Sequence, residues 1–186
     1  MRQMALSETS GENSDRQPPG EHTPSIRLLV VEDDPVLRGG FAALLDAEPG
    51  FQVVAQAGDG QQAEALALAH RPDVVILDIR LGQESGIRVG AGIRASLPQV
   101  KLLALTAYDT EGNVYVAARH GFDGYVVKHM AADHLVQAIR TVFQGGHVYL
   151  SGTRQALMMR ENGPRGCAWP LPTDSRPRRC GSWAPW

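Results

Sequence analysis

The chain has 186 residues, enough for one full domain with a sizeable core and cramped for two. A hydrophobic fraction of 43% suits a globular protein, and a formal net charge of -2 at pH 7 argues against a generically basic nucleic-acid binder. No apolar run approaches the roughly 20 residues that span a bilayer, so no membrane partner and a cytoplasmic location are expected.

Residues 1–24 are polar, contain Pro18-Pro19-Gly20 and lack the apolar stretch of a signal peptide, so they read as a disordered N-terminal arm. From Ile26 onward, short apolar runs alternate with amphipathic stretches, the pattern of βα units around a parallel sheet. The first strand is expected over Ile26 to Val31. Asp34 then stands as an N-cap with Pro35 at the first helical position, and Val36, Leu37, Phe41, Leu44 and Leu45 recur at helical spacing until Pro49-Gly50. A second strand, Phe51 to Ala57, ends at Gly58-Asp59-Gly60, and a helix of strong helix formers runs from Gln61 to His70, with Pro72 beyond it.

The third strand is Asp73 to Asp78. The helix after it, carrying Ile87, Val89, Ile93 and Leu97, is expected to be the weakest, because Gly90 and Gly92 each cost about 1 kcal/mol relative to Ala in a helix interior. Lys101 to Thr106 gives a fourth strand, Thr110 to His120 a helix stopped by Gly121, and Gly124 to Val127 a fifth strand. A last helix, Ala131 to Gln144, presents Leu135, Val136, Ile139, Val142 and Phe143 before Gly145-Gly146. The fold class is therefore α/β: a doubly wound, five-stranded parallel sheet with the order 2-1-3-4-5, since right-handed crossovers and helices on both faces leave few alternatives.

In such sheets ligands bind outside the carboxyl ends of the strands. The first strand ends in Glu32 and Asp33, the third in Asp78, the fourth in Thr106 and the fifth in Lys128. The favoured order sets the ends of the first and third strands side by side. Three carboxylates there repel one another unless a counterion is present, and Mg²⁺, which takes oxygen ligands and keeps several waters, suits a shallow site of this kind. With Lys128 and the Thr106 hydroxyl alongside Asp78, the arrangement is that of a phosphoryl-transfer site with an aspartate nucleophile. Acids at strand ends also act as caps and turn formers, so Asp33 or Asp34 alone carries little; the joint pattern carries the reading. Asp59 reads as a turn residue, Asp73, Asp109 and Asp123 as turn or cap residues, and His70 and His120 as partners of helix C-termini.

The runs Leu29-Val30-Val31-Glu32-Asp33-Asp34-Pro35, Val74-Val75-Ile76-Leu77-Asp78-Ile79-Arg80, Leu105-Thr106-Ala107 and Gly124-Tyr125-Val126-Val127-Lys128 together resemble the receiver domain of bacterial two-component response regulators, of CheY-like (flavodoxin-like) fold. The resemblance covers residues 25–150. It implies that Asp78 is the phosphoacceptor, taking a phosphoryl group from a sensor histidine kinase. It implies further that Glu32, Asp33, Asp78 and the backbone carbonyl of Arg80 hold Mg²⁺, that Thr106 and Lys128 contact the phosphoryl oxygens, and that Tyr125 is a switch aromatic moving with Thr106. Plain core packing is the alternative for Tyr125. Such a protein is not a turnover enzyme; it assists only its own phosphorylation.

Two departures stand out. The loop Arg80-Leu81-Gly82-Gln83-Glu84-Ser85-Gly86 lacks the Met-Pro that relatives usually carry, and His129 follows Lys128 where many receivers have proline, so no cis peptide is expected there. His129 and the segment Gly145 to Ser151 resemble NarL-like (NarL/FixJ) receivers, some of which pair as homodimers. Residues 151–186, rich in Arg, Pro, Gly, Trp and Cys, read as an irregular, disordered tail, natural or frame-altered, with no helix-turn-helix pattern. Cys167 and Cys180 lack the partners of a zinc site. Specific DNA binding is therefore not expected from this chain alone. A NarL-type DNA-binding regulator with an unrecognised output domain is the alternative, and an aspartate-nucleophile phosphohydrolase a more distant one.

Overall fold

A computed structural model describes residues 25–107, 111–151 and 154–159. The expected N-terminal arm, Thr110 at the head of one helix, Asp109, and the tail apart from residues 151 and 154–159 lie outside the described residues. The elements follow in order β1 (Ile26–Val31), α1 (Pro35–Asp46), β2 (Phe51–Ala57), α2 (Gly60–His70), β3 (Val74–Asp78), β4 (Arg80–Leu81), β5 (Glu84–Ser85), α3 (Gly86–Ser96), β6 (Lys101–Thr106), α4 (Glu111–Arg119), β7 (Gly124–Val127), α5 (Ala132–Phe143), β8 (His147–Ser151) and β9 (Arg154–Met159).

The main sheet has the order β2-β1-β3-β6-β7-β8-β9. Its first five strands are parallel and occupy the expected 2-1-3-4-5 positions. The sheet is larger than the five strands expected: β8 adds parallel to β7, and β9 adds antiparallel to β8. A short segment such as His147–Ser151 carries too few alternations to mark a strand by itself. Its place is set by contacts distant in sequence: Val148 and Tyr149 are buried, and the Tyr149 hydroxyl donates to the Phe122 carbonyl at 2.9 Å.

Because parallel strands bury both faces, β1 and β3 read as continuous apolar runs and feed two cores. Leu29, Val31, Val75 and Leu77 face Ala63 and Ala67 of α2, Ile87, Val89 and Ile93 of α3, and Ala117 of α4. Leu28, Val30 and Ile76 face Leu45 of α1 and Leu135, Ile139 and Val142 of α5. The apolar face of α5 is thus spent on the core through Leu135, Val136, Ile139 and Val142, while Phe143 at its end is exposed. That of α1 is not: Leu45 and Ala42 are buried, but Val36 is 79% exposed and Leu37 and Leu44 are also exposed.

The caps explain where the helices begin. Asp34 accepts from the N–H groups of Val36 and Leu37 at 2.8 and 3.2 Å, and Asp59 caps α2 by accepting from Gln62 N–H, a more specific role than a turn residue. Gly90 of α3 has a packing reason. A Cβ on Gly90 would lie 2.5 Å from Phe122 Cζ, and one on Gly92 would lie 2.6 Å from Glu64 Oε1. The propensity cost at Gly90 is therefore what lets α3 approach the buried Phe122 ring, whereas the Glu64 side chain that faces Gly92 is exposed and can give way.

Two further acids sit at the opposite edge of the sheet from the strand ends named above. Asp73 accepts from Arg27 N–H at 2.8 Å. Asp123 is buried, accepts from Leu102 N–H at 2.9 Å, and pairs with Arg94 and with Lys101. Beside it, burial pushes the Tyr149 phenol up to about 12, with the Asp123 charge acting in the same direction. The folded state therefore holds the Tyr149 proton more tightly than the unfolded chain, whose ordinary value is 10.0. This contribution is fully present below pH 10 and is lost as pH rises towards 12, and a shift of this size corresponds to about 3 kcal/mol. Tyr149→Phe is expected to flatten the alkaline limb of stability, measured by urea unfolding between about pH 9 and 11; an unchanged slope would refute the assignment.

Candidate functional site

Four of the parallel strands, β1, β3, β6 and β7, deliver polar groups at the carboxyl edge, because the apolar run that fills the sheet stops where the backbone emerges from between the helix layers. From β1 come Glu32, buried at 2% exposure, and the exposed Asp33. From β3 comes Asp78, from β6 Thr106, both buried, and from the end of β7 comes Lys128. A carboxylate oxygen from each of Glu32, Asp33 and Asp78 lies within 4.8 Å of the other two.

Lys128 links two of these acids. Its Nζ lies 2.6 Å from Glu32 Oε2 and 2.7 Å from Asp78 Oδ2. Burial raises the Glu32 carboxyl above the ordinary range; hydrogen bonding to Lys128 opposes this, and the Asp78 and Asp33 charges reinforce it. Burial pulls the Lys128 ammonium down, but its bonds and attraction to Asp78 and Glu32 outweigh that, and the net direction is up. One ammonium thus bridges two of the three carboxylates and does not fully relieve the most buried of them.

The acids are also held by the backbone. Asp78 Oδ1 accepts from Arg80 N–H at 3.0 Å, and Asp33 Oδ2 accepts from Gly82 N–H at 3.1 Å. Arg38 of α1 donates from Nη1 to the carbonyls of Glu32, at 2.6 Å, and Asp33, at 3.4 Å. Sequence reasoning missed Arg38, since an arginine on a polar helix face carries no signal that it folds back onto a strand end. It also missed Glu84, which is read as a loop acid but accepts from Gly60 N–H at 3.1 Å.

Of the residues expected at the site, Glu32, Asp33, Asp78 and Lys128 are brought together. The Thr106 carbonyl accepts from Lys128 N–H at 2.7 Å, which ties the ends of β6 and β7. Arg80 opens the small hairpin made by β4 and β5. Tyr125 is fully buried in the core shared with Ala104, Ala117, Phe122 and Tyr149, next to Ala104 in the register of β6 with β7. His129 is exposed, and no cis peptide occurs among the described residues.

The donor set fits a hard divalent cation. Ligands at about 2.1 Å put opposite oxygens of one Mg²⁺ about 4.2 Å apart, close to the 4.8 Å span of the three carboxylates. All three donors are carboxylate oxygens, and their uncompensated charge favours a cation.

Gly86 closes the hairpin behind Asp78. Its N–H donates to the Ile79 carbonyl at 2.8 Å, and a Cβ there would lie 1.8 Å from the Asp78 carbonyl oxygen. No side-chain rearrangement relieves a clash with backbone. Gly86→Ala is expected to cost about 3 kcal/mol, read as a lower urea midpoint; a loss below about 0.5 kcal/mol would show that the turn yields easily.

Comparison with known proteins yields consistent matches. The family model described as "Response regulator receiver domain" matches residues 28–140. Among curated proteins, the chain is 34% identical over 133 residues to the uncharacterized transcriptional regulatory protein YxjL of Bacillus subtilis, covering 72% of this chain and 61% of that protein. It is 37% identical over 121 residues to the oxygen regulatory protein NreC of Staphylococcus epidermidis, covering 64% and 56%. The chain thus spans little more than half the length of these curated relatives. Among solved structures, a two-component response regulator of the LuxR family from Aurantimonas superposes with a TM-score of 0.66 at 31% identity, covering 69% of this chain and 91% of that one. The receiver domain of the putative response regulator NarL from Mycobacterium tuberculosis does so with a TM-score of 0.62 at 31% identity, covering 65% and 98%. No helix among the described residues is long and apolar enough to cross a membrane.

Proposed function

Since the chain belongs to the response regulator receiver domain family of two-component systems, we propose that Asp78 is its phosphoacceptor and that phosphorylation there changes the receiver surface. The observation that carries this reading is Asp78 itself: a buried carboxylate at a strand end, held by Lys128 on one oxygen and Arg80 N–H on the other, with Glu32 and Asp33 beside it.

In the proposed reaction a carboxylate oxygen of Asp78 forms a bond to phosphorus as the P–N bond of a donor phosphohistidine breaks. The imidazole leaves with its electron pair, to be neutralised by a proton. Lys128 orients the nucleophile through Oδ2 and is placed to pair with phosphoryl oxygens as they arrive. Thr106, buried at the end of the adjacent strand β6, supplies a hydroxyl on the same edge. Glu32, Asp33, Asp78 and the Arg80 carbonyl would hold Mg²⁺, which when bound supplies positive charge against the phosphoryl oxygens. The acyl phosphate carries roughly 1.5 to 2 negative charges in place of the single charge of the carboxylate. That added charge biases a two-state equilibrium through its differential contacts, in which Thr106 and Tyr125 are the proposed moving pair. Their strands are hydrogen-bonded neighbours.

The partners proposed are a sensor histidine kinase, a small phosphodonor in its place, and a second copy of the receiver. The test is incorporation of phosphate from acetyl phosphate, found on a peptide containing Asp78 and dependent on Mg²⁺.

A second reading, a transcriptional regulator that binds DNA, is favoured by the names of the relatives YxjL and NreC and by the share of their length that this chain spans. A phosphorylation-dependent shift of promoter DNA would support it. Under the first reading, the signal leaves through the receiver surface.

A further inference from the structure

The loop after Asp78 is a closed hairpin. β4 and β5 pair antiparallel, Arg80 with Ser85 and Leu81 with Glu84, around the two-residue turn Gly82-Gln83. Gly82 has φ +59, a left-handed conformation that favours glycine. In that conformation its N–H points at Asp33, donating to Oδ2 at 3.1 Å. A Cβ on Gly82 would meet the same oxygen at 3.8 Å, an ordinary contact, so glycine is selected there by backbone angle and not by space.

The far side of the hairpin is anchored as well. Glu84 Oε2 accepts from the N–H of Gly60, the first residue of α2, where the helix dipole favours a carboxylate. Gly60 makes that approach feasible, because a Cβ there would lie 2.2 Å from Glu84 Oε2. Gly86 N–H on the Ile79 carbonyl fixes the base, and Arg80 N–H on Asp78 Oδ1 fixes the start. The hairpin is therefore held at three points while its turn holds Asp33, an exposed side chain in the bend after β1.

We infer that this hairpin is a strap that orients Asp33 for a divalent cation, and that the Gly82 N–H is the positioning contact. The inference rests on the Mg²⁺ site proposed above. A carboxylate offers about four lone-pair positions, so one N–H leaves room for a metal bond. Proline at this position would carry no N–H and fix φ near −65°, so it could make neither the contact nor the turn. Loss of an outer partner of a metal ligand typically weakens affinity about 10- to 100-fold.

The experiment is calorimetric titration of the unphosphorylated full chain with Mg²⁺. Gly82→Pro is expected to bind about tenfold more weakly or worse, whereas Gly82→Ala, which keeps the N–H, is expected to melt at a lower temperature yet bind within about twofold of the starting protein, since the lost outer contact is what sets affinity. Equal affinity in Gly82→Pro, or an equal loss in both variants, would overturn the strap. Should Gly82→Pro fail to fold by circular dichroism, Glu84→Ala decides: severing the anchor on α2 is expected to weaken Mg²⁺ binding several-fold by the same route, and unchanged binding overturns the inference. If the starting protein itself takes up no Mg²⁺, the metal reading fails and the strap with it; if it binds and the variants bind equally, only the strap fails.

Discussion

Asp78→Asn is expected to reduce phosphate incorporation from acetyl phosphate and Mg²⁺ to background. The amide keeps the shape of the side chain, and its carbonyl oxygen can still accept from the Arg80 N–H that lies 3.0 Å from Oδ1. What it loses is the anionic oxygen that attacks phosphorus and one of the three charges available to a cation. Folding should survive, because Lys128 keeps its bond to Glu32 at 2.6 Å and the repulsion among the acids is reduced. A variant that is folded and inert would therefore localise the chemistry to this carboxylate. Phosphate-affinity gel electrophoresis reads the result, and equal incorporation in both proteins would sink the phosphoacceptor assignment.

Lys128→Met has the second-largest expected effect, and it appears in the unphosphorylated protein. Methionine fills similar volume but leaves Glu32 and Asp78, both buried, without the ammonium they share. Removing one partner of a buried ion pair costs about 3–5 kcal/mol, much of it the penalty of stranding the other charge, and a loss of at least about 3 kcal/mol is expected near pH 8. The Glu32 carboxyl is already raised by burial, so the deficit should shrink as pH falls and Glu32 protonates. On the alkaline side, the raised Lys128 value means that its contribution in the starting protein is fully present below the ordinary 10.5 and is lost as pH rises through the folded value. Mg²⁺ should stabilise the variant more than the starting protein, because a cation then takes over the role of the missing charge. Urea unfolding at two pH values, with and without Mg²⁺, measures all of this. Equal stability of the two proteins at pH 8 without Mg²⁺ would show that the ion pair is energetically idle.

The three acids and the lysine are legible in the sequence for a simple reason. In a parallel sheet the strands are buried on both faces, so the first polar residue after each apolar run marks the carboxyl edge, where ligands bind. Glu32, Asp78, Thr106 and Lys128 each end such a run, and the structure gathers them at one edge. Arg38, Gly82 and Glu84 end no run. Their contacts join residues whose proximity depends on how helices and loops pack, from Arg38 folding onto the end of its own preceding strand to Gly82 reaching Asp33 and Glu84 reaching Gly60. The apolar spacing of α1 misled in part: of the residues in that spacing Leu45 is buried and Phe41 packs against the core, but Val36, Leu37 and Leu44 are exposed, and Ala42 shares the burying.

Local chemistry in the chain determined the alternation of elements, the caps at Asp34 and Pro35, and the strand-end acids, because each depends on neighbours in sequence or on a repeat of two or 3.6 residues. Tertiary structure alone decided that β8 and β9 would enlarge the sheet, that Gly90 serves close packing, and that a hairpin N–H would hold Asp33. Those outcomes arise from contacts between segments far apart in the chain. Their energies are set by distances of a few tenths of an ångström, which no periodicity encodes.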